Sequence, residues 1–163
     1  MIIAIVSDIH DNIWKLAEAT EKIAQLKAEV LIFCGDFCAP FSLKQLADEF
    51  AGPVHAVWGN NDGDKWLLTT VAGGTTNVTL HGELAEVEVS GQKIGVNHYP
   101  AIGQRLAESG AYDLVCYGHD HTARIDTVGR TVLVNPGEVM GRFGKSTVAV
   151  YDTASRQAKL VDV

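Results

Sequence analysis

Short apolar runs that end in polar clusters set the pattern of this chain. The first run, residues 1–7, is rich in Ile and Val and is followed directly by Asp8, Ile9 and His10. A short apolar run of this kind predicts a buried strand. Because open α/β folds bind ligands at the carboxyl ends of their strands, we expect the polar residues after this run to lie at a functional edge of a sheet.

The next two segments complete a unit of strand, helix and strand. Apolar residues recur at helical spacing over 13–24, which predicts a helix that ends at about Lys27. The continuous apolar run 30–34 predicts a second strand, parallel to the first and covered on both faces. Asp36 follows this run and is therefore expected at the same edge as Asp8.

The second helix is predicted from a capping box. Ser42 and Gln45 have the spacing of such a box, and Phe41 and Leu46 occupy the staple positions. We therefore expect this helix to begin at Ser42 and to end at about Phe50.

The rest of the chain continues the alternation of strands and helices. The predicted elements are a strand at 54–58, a helix at 64–71, a hairpin of 85–89 and 94–98, a helix from about Ile102 to Gly110, a strand at 113–117, a hairpin at 123–134, and strands at 147–151 and 158–163. No linker, repeat or low-complexity segment interrupts them. The pattern predicts an α/β fold in one domain, residues 1–163, with two layers of strands and flanking helices.

Composition limits the class of protein. The 163 residues are 47% apolar and 20% charged, which is ordinary for a globular domain. The first apolar run is far shorter than a membrane-spanning helix and no basic segment precedes it, so neither membrane insertion nor a signal peptide is expected. Three cysteines cannot all pair, and Cys34 and Cys116 lie in apolar runs, which favours a reducing, cytoplasmic setting.

The charge of the chain argues against one class of partner. The formal net charge is −7, and no basic stripe is present. Since Lys and Arg supply most of the affinity for nucleic acid, no sequence-specific nucleic-acid binding is expected. A phosphate substrate is compatible with this charge if bound metal ions supply a local positive field.

Five polar clusters follow predicted strands. They are Asp8-x-His10, Gly35-Asp36, Gly59-Asn60-Asn61-Asp62, His98 and Gly118-His119-x-His121. In extended backbone, residues i and i+2 point to the same side, so the Asp8 carboxylate and the His10 imidazole are expected to converge. One anionic oxygen and one nitrogen at that spacing suit a divalent transition metal.

The order of these clusters resembles that of the calcineurin-like metallophosphoesterases, and within them the small single-domain phosphodiesterases of the YfcE-like group. The resemblance extends from Asp8 to the turn Asn135-Pro136-Gly137, which the small members also carry. It implies a four-layer α/β/β/α fold, in which a sandwich of two mixed sheets is flanked by helices. It also implies a metal-dependent phosphoric diester hydrolase that acts on a small phosphodiester.

The same resemblance implies two divalent metal ions. The implied ligands of one ion are Asp8, His10 and His121, and those of the other are Asn60, His98 and His119. Asp36 is implied to bridge the two ions. Imidazole, carboxylate and amide ligands suit Mn, Fe, Ni, Co or Zn better than Ca or Mg, and Mn is the expected ion. The nucleophile would be a hydroxide that bridges the metals, so no side chain is assigned as catalytic.

Two asparagines are predicted to bind substrate. Asn12 stands two residues after the motif His, where the family places an Asn near substrate, and Asn61 follows Asn60. The alternative for Asn12, Asp11 and Asp62 is a role as helix cap or turn former. Many family members have His at the position of Asn61, and an amide cannot act as a general acid. We therefore expect a preference for good leaving groups.

Two other functions stay open from the sequence. A retromer subunit with this fold works as a scaffold through protein contacts, and a structural metal protein would bind ions without turnover. Among substrates, cyclic nucleotides, linear nucleotide diesters and glycerophosphodiesters all remain open. Trp14 and Trp66 are expected to pack internally, although apolar residues near Trp66 are also available to a second copy of the chain. His55 and His81 are expected to be ordinary surface or half-buried histidines.

Overall fold

A computed structural model describes all 163 residues as four helices and eleven strands. The helices are α1 (Ile13–Gln25), α2 (Pro40–Glu49), α3 (Lys65–Gly73) and α4 (Pro100–Glu108). The strands are β1 (Ile2–Val6), β2 (Val30–Phe33), β3 (Val54–Ala56), β4 (Val78–Leu80), β5 (Leu84–Val89), β6 (Gln92–Asn97), β7 (Leu114–Cys116), β8 (Arg124–Val128), β9 (Thr131–Asn135), β10 (Thr147–Asp152) and β11 (Gln157–Asp162). None of the helices is long and apolar enough to cross a membrane.

Both sheets mix parallel and antiparallel strands. The first sheet has the order β11-β10-β1-β2-β3-β4, in which β1 to β4 run parallel, β10 pairs antiparallel with β1, and β11 pairs antiparallel with β10. The second sheet has the order β5-β6-β7-β9-β8, in which β6, β7 and β9 run parallel and β5 and β8 are antiparallel at the two edges. Residues that follow parallel strands of both sheets meet at one edge, where Asp36 lies near His98.

The layers follow from the burial of the strands. In β1, Ile3 and Ile5 belong to a core cluster between the two sheets, whereas Ala4 and Val6 belong to a cluster shared with α1, α2 and α3. A third cluster, which includes Ala107 of α4, lies on the outer face of the second sheet. Strands that are covered on both faces appear in the sequence as continuous apolar runs. The predicted α/β/β/α order of layers is confirmed.

The second helix starts earlier than predicted, and the predicted capping box is wrong. Helix α2 begins at Pro40, and its N-cap residue Ala39 makes no side-chain cap. Ser42 is the third residue of the helix, and its hydroxyl donates to Asp11 Oδ1 at 2.8 Å. Proline suits the first helical position because its φ is already helical and it has no N–H group to satisfy there. The helix start is therefore set by Pro40 and by a carboxylate from a distant loop.

Strand β4 was not predicted. Its three residues pair with β3 at the edge of the first sheet, and none of them is fully buried. A short, half-exposed edge strand lacks the long apolar run that marks the central strands. Strands β3 and β7 are also shorter than predicted, because the segments that follow them turn into the polar loops.

The expectation that Trp14 and Trp66 pack internally is wrong. Trp14 is 75% exposed and Trp66 is 84% exposed. Each is two residues before a buried leucine, Leu16 in α1 and Leu68 in α3. Two residues correspond to about 200° around a helix, so each tryptophan lies on the face opposite to the sheet.

Candidate metal centre

The loop after β1 is a turn and not a continuation of the strand. Asp8 has a φ of 56° and His10 a φ of 45°, both in the left-handed region. The expectation that they converge is confirmed, but the predicted extended backbone is wrong. The loop after β2 holds this turn in place. The N–H groups of Asp8 and His10 donate to Gly35 O and Asp36 O, each at 3.1 Å. Non-glycine residues in this region are strained and concentrate at functional sites.

Three of the predicted ligands form one half of the centre. Asp8 Oδ1 lies 3.6 Å from His10 Nε2 and 3.4 Å from His121 Nε2. The Asp8 side chain is fully buried, and neither its Oδ1 nor His10 Nε2 has a hydrogen-bond partner. Buried polar atoms without partners are costly. Their convergence indicates a site that a cation would satisfy.

The other half of the centre is formed around Asn60. Its Oδ1 atom lies 3.0 Å from His98 Nε2 and 2.8 Å from His119 Nδ1. His98 is fully buried, whereas Asn60 and His119 are exposed. The structure thus brings all three predicted residues together. This half of the centre is more open to solvent than the half that contains the buried Asp8.

Asp36 lies between the two halves. Its Oδ2 atom is 3.5 Å from His10 Nε2 and 3.3 Å from His98 Nε2. Asn61 holds this carboxylate, because its backbone N–H donates to Oδ1 and its amide donates to Oδ2, each at 2.8 Å. Asn61, predicted to bind substrate, is therefore placed to orient Asp36.

The acidic groups give this edge a strong attraction for positive charge. The nearby Asp8 carboxylate, followed in size of effect by the Cys38 thiol, raises the pKa of His10 to about 10. Burial disfavours the ionised form of Asp36, but hydrogen bonds from His98 and Asn61 outweigh it and lower the pKa to about 2. A proton on His10 and a metal ion would satisfy the same carboxylates, so the two would compete for this site.

Two acceptors hold the candidate histidine ligands from behind. His121 Nδ1 donates to Glu138 Oε2 at 2.6 Å, and His98 Nδ1 donates to the Cys34 carbonyl oxygen at 2.8 Å. Each bond leaves Nε2 directed at the centre, an arrangement that is usual for metal-binding histidines. Glu138, which is only 2% exposed, was not among the residues predicted from the sequence. The only feature of the sequence that could have indicated this residue is its position directly after the Asn135-Pro136-Gly137 turn.

Asp11, Asn12 and Asp62, for which a capping or turn-forming role was the alternative, all accept backbone N–H groups. Asp62 is buried and accepts N–H groups from Asp36, Cys38 and Gly59 at 3.1, 2.9 and 2.7 Å. Burial raises its pKa in spite of these bonds. The turn-forming role considered for Asp62 is what the structure shows.

Asp11 and Asn12 act on different helices. Asp11 Oδ1 accepts from the Ala39 N–H at the start of α2, at 2.9 Å. Asn12 Oδ1 accepts from the Lys15 N–H and caps α1, while its amide donates to Met140 O at 2.9 Å. The structure thus gives Asn12 a capping role, and its contact with substrate stays a prediction.

Close packing behind the ligands depends on Gly35. Its φ is 104°, and a Cβ atom there would lie 2.7 Å from both Gly59 N and His98 Nδ1. Real side chains do not approach so closely, and this backbone conformation strongly favours glycine. A side chain at this position would displace His98.

The donor set fits divalent transition metals. Groups of ligand atoms suitable for one ion occur at Asp8, His10 and His121 and at Asp8, Asp36 and His98. Metal–ligand bonds of about 2.0–2.2 Å imply separations of roughly 3–3.5 Å between neighbouring donors, close to those observed here. Imidazole nitrogens with few carboxylates exclude a typical calcium or magnesium site.

Comparison with known proteins identifies the family of this chain. Residues 1–156 match the family model of the calcineurin-like phosphoesterase superfamily domain. The chain is 30% identical over 160 residues to phosphodiesterase MJ0936 of Methanocaldococcus jannaschii, covering 96% of each chain. A solved structure of an archaeal phosphodiesterase is 28% identical, with a TM-score of 0.91 and full coverage of both chains.

A more distant structure shares the fold alone. Vacuolar protein sorting 29 from Cryptosporidium parvum is 16% identical, with a TM-score of 0.68 over 99% of this chain and 96% of that chain. The match of the family model over nearly the whole sequence, together with the curated relative, decides the assignment. The chain belongs to the calcineurin-like phosphoesterase superfamily.

Proposed function

We propose that the protein is a dinuclear metal-dependent phosphodiesterase that hydrolyses a small phosphodiester. The observation that carries this proposal is the position of Asp36, whose Oδ2 lies within 3.5 Å of His10 Nε2 and within 3.3 Å of His98 Nε2. One carboxylate close to a histidine of each half supports a centre in which Asp36 would be shared by two ions. The unpartnered Asp8 Oδ1 and His10 Nε2 support a cation in the first half.

The residues of the chain would hold Mn or another divalent transition metal in two half-sites. The residues proposed to bind the ions are Asp8, His10, His121, Asn60, His98, His119 and the bridging Asp36. When bound, two divalent ions lower the pKa of water towards roughly 7 and stabilise both the attacking and the leaving oxygen of an in-line displacement. Glu138 and the Cys34 carbonyl keep two imidazoles oriented, and Asn61 keeps the bridging carboxylate in place.

An amide occupies the position at which many family members carry an acid. Asn61 stands where many family members have His, and its amide donates to Asp36. Asp62, the neighbouring acid, is buried and accepts three backbone N–H groups, so it is not free to protonate a substrate. We therefore propose that aryl esters, which leave without protonation, react much faster than alkyl esters.

Replacement of Asn61 tests the leaving-group proposal. Asn61→His should raise the rate on an alkyl phosphodiester by about 10²-fold or more relative to Asn61→Gln, since a positioned acid contributes about 10²–10⁴-fold. The rate on an aryl diester should differ much less between the two variants. Steady-state kinetics with both substrates provides the measurement. Equal alkyl rates in the two variants would show that the missing histidine is not the cause.

Metal dependence tests the proposed function itself. Chelator-treated protein should not hydrolyse bis(4-nitrophenyl) phosphate, and added Mn, Ni or Zn should restore turnover. Asp36→Asn should abolish it, whereas Asp48→Asn, on the exposed face of α2, should retain it. Turnover that is independent of metal, or that survives in Asp36→Asn, would contradict a bridged centre. The ratio of diester to monoester hydrolysis would define the substrate class.

One observation favours the scaffold alternative. The second residues of α1, α2 and α3 are Trp14, Phe41 and Trp66, and all three are exposed. Exposed aromatic residues at the edge of a fold shared with vacuolar protein sorting 29 would suit protein contacts or a homo-oligomer. Absence of turnover with any metal, combined with two ions bound per chain, would support this alternative.

In either case the three free cysteines favour a reducing, cytoplasmic location.

A further inference from the structure

The loop between β9 and β10 is fixed at its base and exposed at its tip. At the base, Met140 donates its backbone N–H to Asp8 O at 3.1 Å, and Ser146 Oγ donates to Val139 O at 2.7 Å. The tip, residues 141–145, contains no buried residue. The loop is therefore held against a candidate metal ligand while the side chains of its tip remain free to contact a substrate.

Phe143, in this tip, is an exposed ring placed directly beside the centre. It is 69% exposed, and its ring centroid lies 5.3 Å from that of His121 in an edge-on arrangement. Its backbone N–H donates to Glu138 Oε1, and Glu138 also accepts from His121. One buried carboxylate thus holds both the candidate ligand and the backbone of Phe143, which keeps the exposed ring beside the centre.

Arg142 adds an unpaired positive charge next to this ring. Its Cζ atom lies 5.1 Å from the centroid of the Phe143 ring. Arg142 takes part in none of the ion pairs of the chain, whereas Lys145 in the same loop is paired with Asp162 at 2.6 Å. Guanidinium groups bind phosphate through several donors and also stack on planar rings. In a chain of net charge −7, this free cation over the Phe143 ring is available to an anionic substrate.

We infer that the loop tip binds a nucleobase of the substrate, so that the substrate class is a nucleotide diester and not a glycerophosphodiester. Phe143 supplies a face for the planar base, and Arg142 contacts the phosphate. This inference rests on the proposed function and narrows it. A glycerol ester has no planar group, so it would leave the ring of Phe143 exposed.

Two esters with the same leaving group test the inference. The 4-nitrophenyl ester of thymidine 5′-monophosphate carries a base, and methyl 4-nitrophenyl phosphate does not. Phe143→Ala should lower kcat/KM for the nucleotide ester about 10-fold more than for the methyl ester, as expected for loss of one stacking contact. Arg142→Gln should lower kcat/KM for both esters. Phe41→Ala is the matched control, because Phe41 is 56% exposed and has no ring contact with a candidate ligand.

Binding of products separates this inference from the proposed function. Calorimetry on Mn-loaded protein should show tighter binding of thymidine 5′-monophosphate than of glycerol 3-phosphate, and Phe143→Ala should remove the difference. If that pattern appears without hydrolysis of any ester, the proposed function fails, and with it the assignment of a substrate, while the binding of a nucleobase at the loop tip stands. If the esters are hydrolysed but Phe143→Ala affects both equally, the inference is wrong. A change of oligomeric state in Phe143→Ala, measured by sedimentation, would instead assign the ring to a contact between copies and overturn the inference.

Discussion

Glu138 shows how a single buried residue supports the centre. A carboxylate that is 2% exposed would be strongly destabilising without partners. Its Oε2 accepts from His121 Nδ1 and its Oε1 accepts from the Phe143 N–H, both at about hydrogen-bond distance. The residue therefore connects a candidate ligand with the loop that we propose to bind substrate.

Glu138→Gln should weaken metal binding. The variant keeps the shape of the side chain but loses the charge that supports His121, and outer contacts of this kind are worth about 10–100-fold in metal affinity. Titration calorimetry with Mn provides the measurement. Glu108→Gln, on the exposed end of α4, is the control and should bind Mn normally. Unchanged affinity in Glu138→Gln would show that His121 does not need this carboxylate.

At the scale of elements, β3 and the residue after β4 carry a histidine pair outside the centre. His55 Nδ1 lies 3.0 Å from His81 Nε2, and both side chains are half-buried, as predicted from the sequence. Burial lowers the pKa of both residues below 6.5, and His81 lowers that of His55 further. Protonation of both rings is thus disfavoured in the folded protein.

This pair should make the fold sensitive to acid. Because the folded pKa values lie below the unfolded value of about 6.5, the unfolded state binds more protons on acidification. The stabilising contribution is complete above about pH 6.5 and is lost as the pH falls through the folded pKa values. The free energy of unfolding can be measured by urea titration of the metal-free protein between about pH 8 and about pH 5. It should fall less over this range in the double variant His55→Gln/His81→Gln than in the unmodified protein. Parallel pH profiles would contradict the prediction.

At the scale of the whole molecule, metal ions would join loops from both sheets. Asp8 and Asp36 follow strands of the first sheet, while His98 and His119 follow strands of the second. Ions that bind only the folded state stabilise it by mass action, by about 4 kcal/mol for each site at a thousand times the dissociation constant. The two sheets already share a core, so the fold is not expected to depend on metal.

Removal of metal should lower thermal stability without unfolding the protein. For a chain of this length, 1 kcal/mol corresponds to about 2–4 °C in Tm, so Mn at saturating concentration should raise Tm by about 10 °C or more. Calcium, which prefers oxygen ligands, should have a much smaller effect. Differential scanning calorimetry of chelator-treated protein provides the measurement. Equal shifts with Mn and Ca would indicate non-specific binding to the acidic surface.

The sequence by itself determined the layers of the fold and the identity of the residues that meet at the centre. Apolar periodicity is a local property, so central strands and amphipathic helices are visible in it. The polar clusters after the first three strands predicted that Asp8, His10, Asp36 and Asn60 share one edge, and the family resemblance added the remaining three histidines. What periodicity could not show was the turn at Asp8 and His10, because positive φ angles there depend on hydrogen bonds from the neighbouring loop.

Only the tertiary structure decided which distant residues support the site. The cap of α2 by Asp11, the contact of Glu138 with His121 and the pairing of His55 with His81 each join separate segments. Such contacts leave no periodic signal, since each is a single polar pair created when the loops are brought together. The exposure of Trp14 likewise depends on which face of α1 packs against the sheet. Local pattern therefore specified the elements, and packing specified how their loops complete the centre.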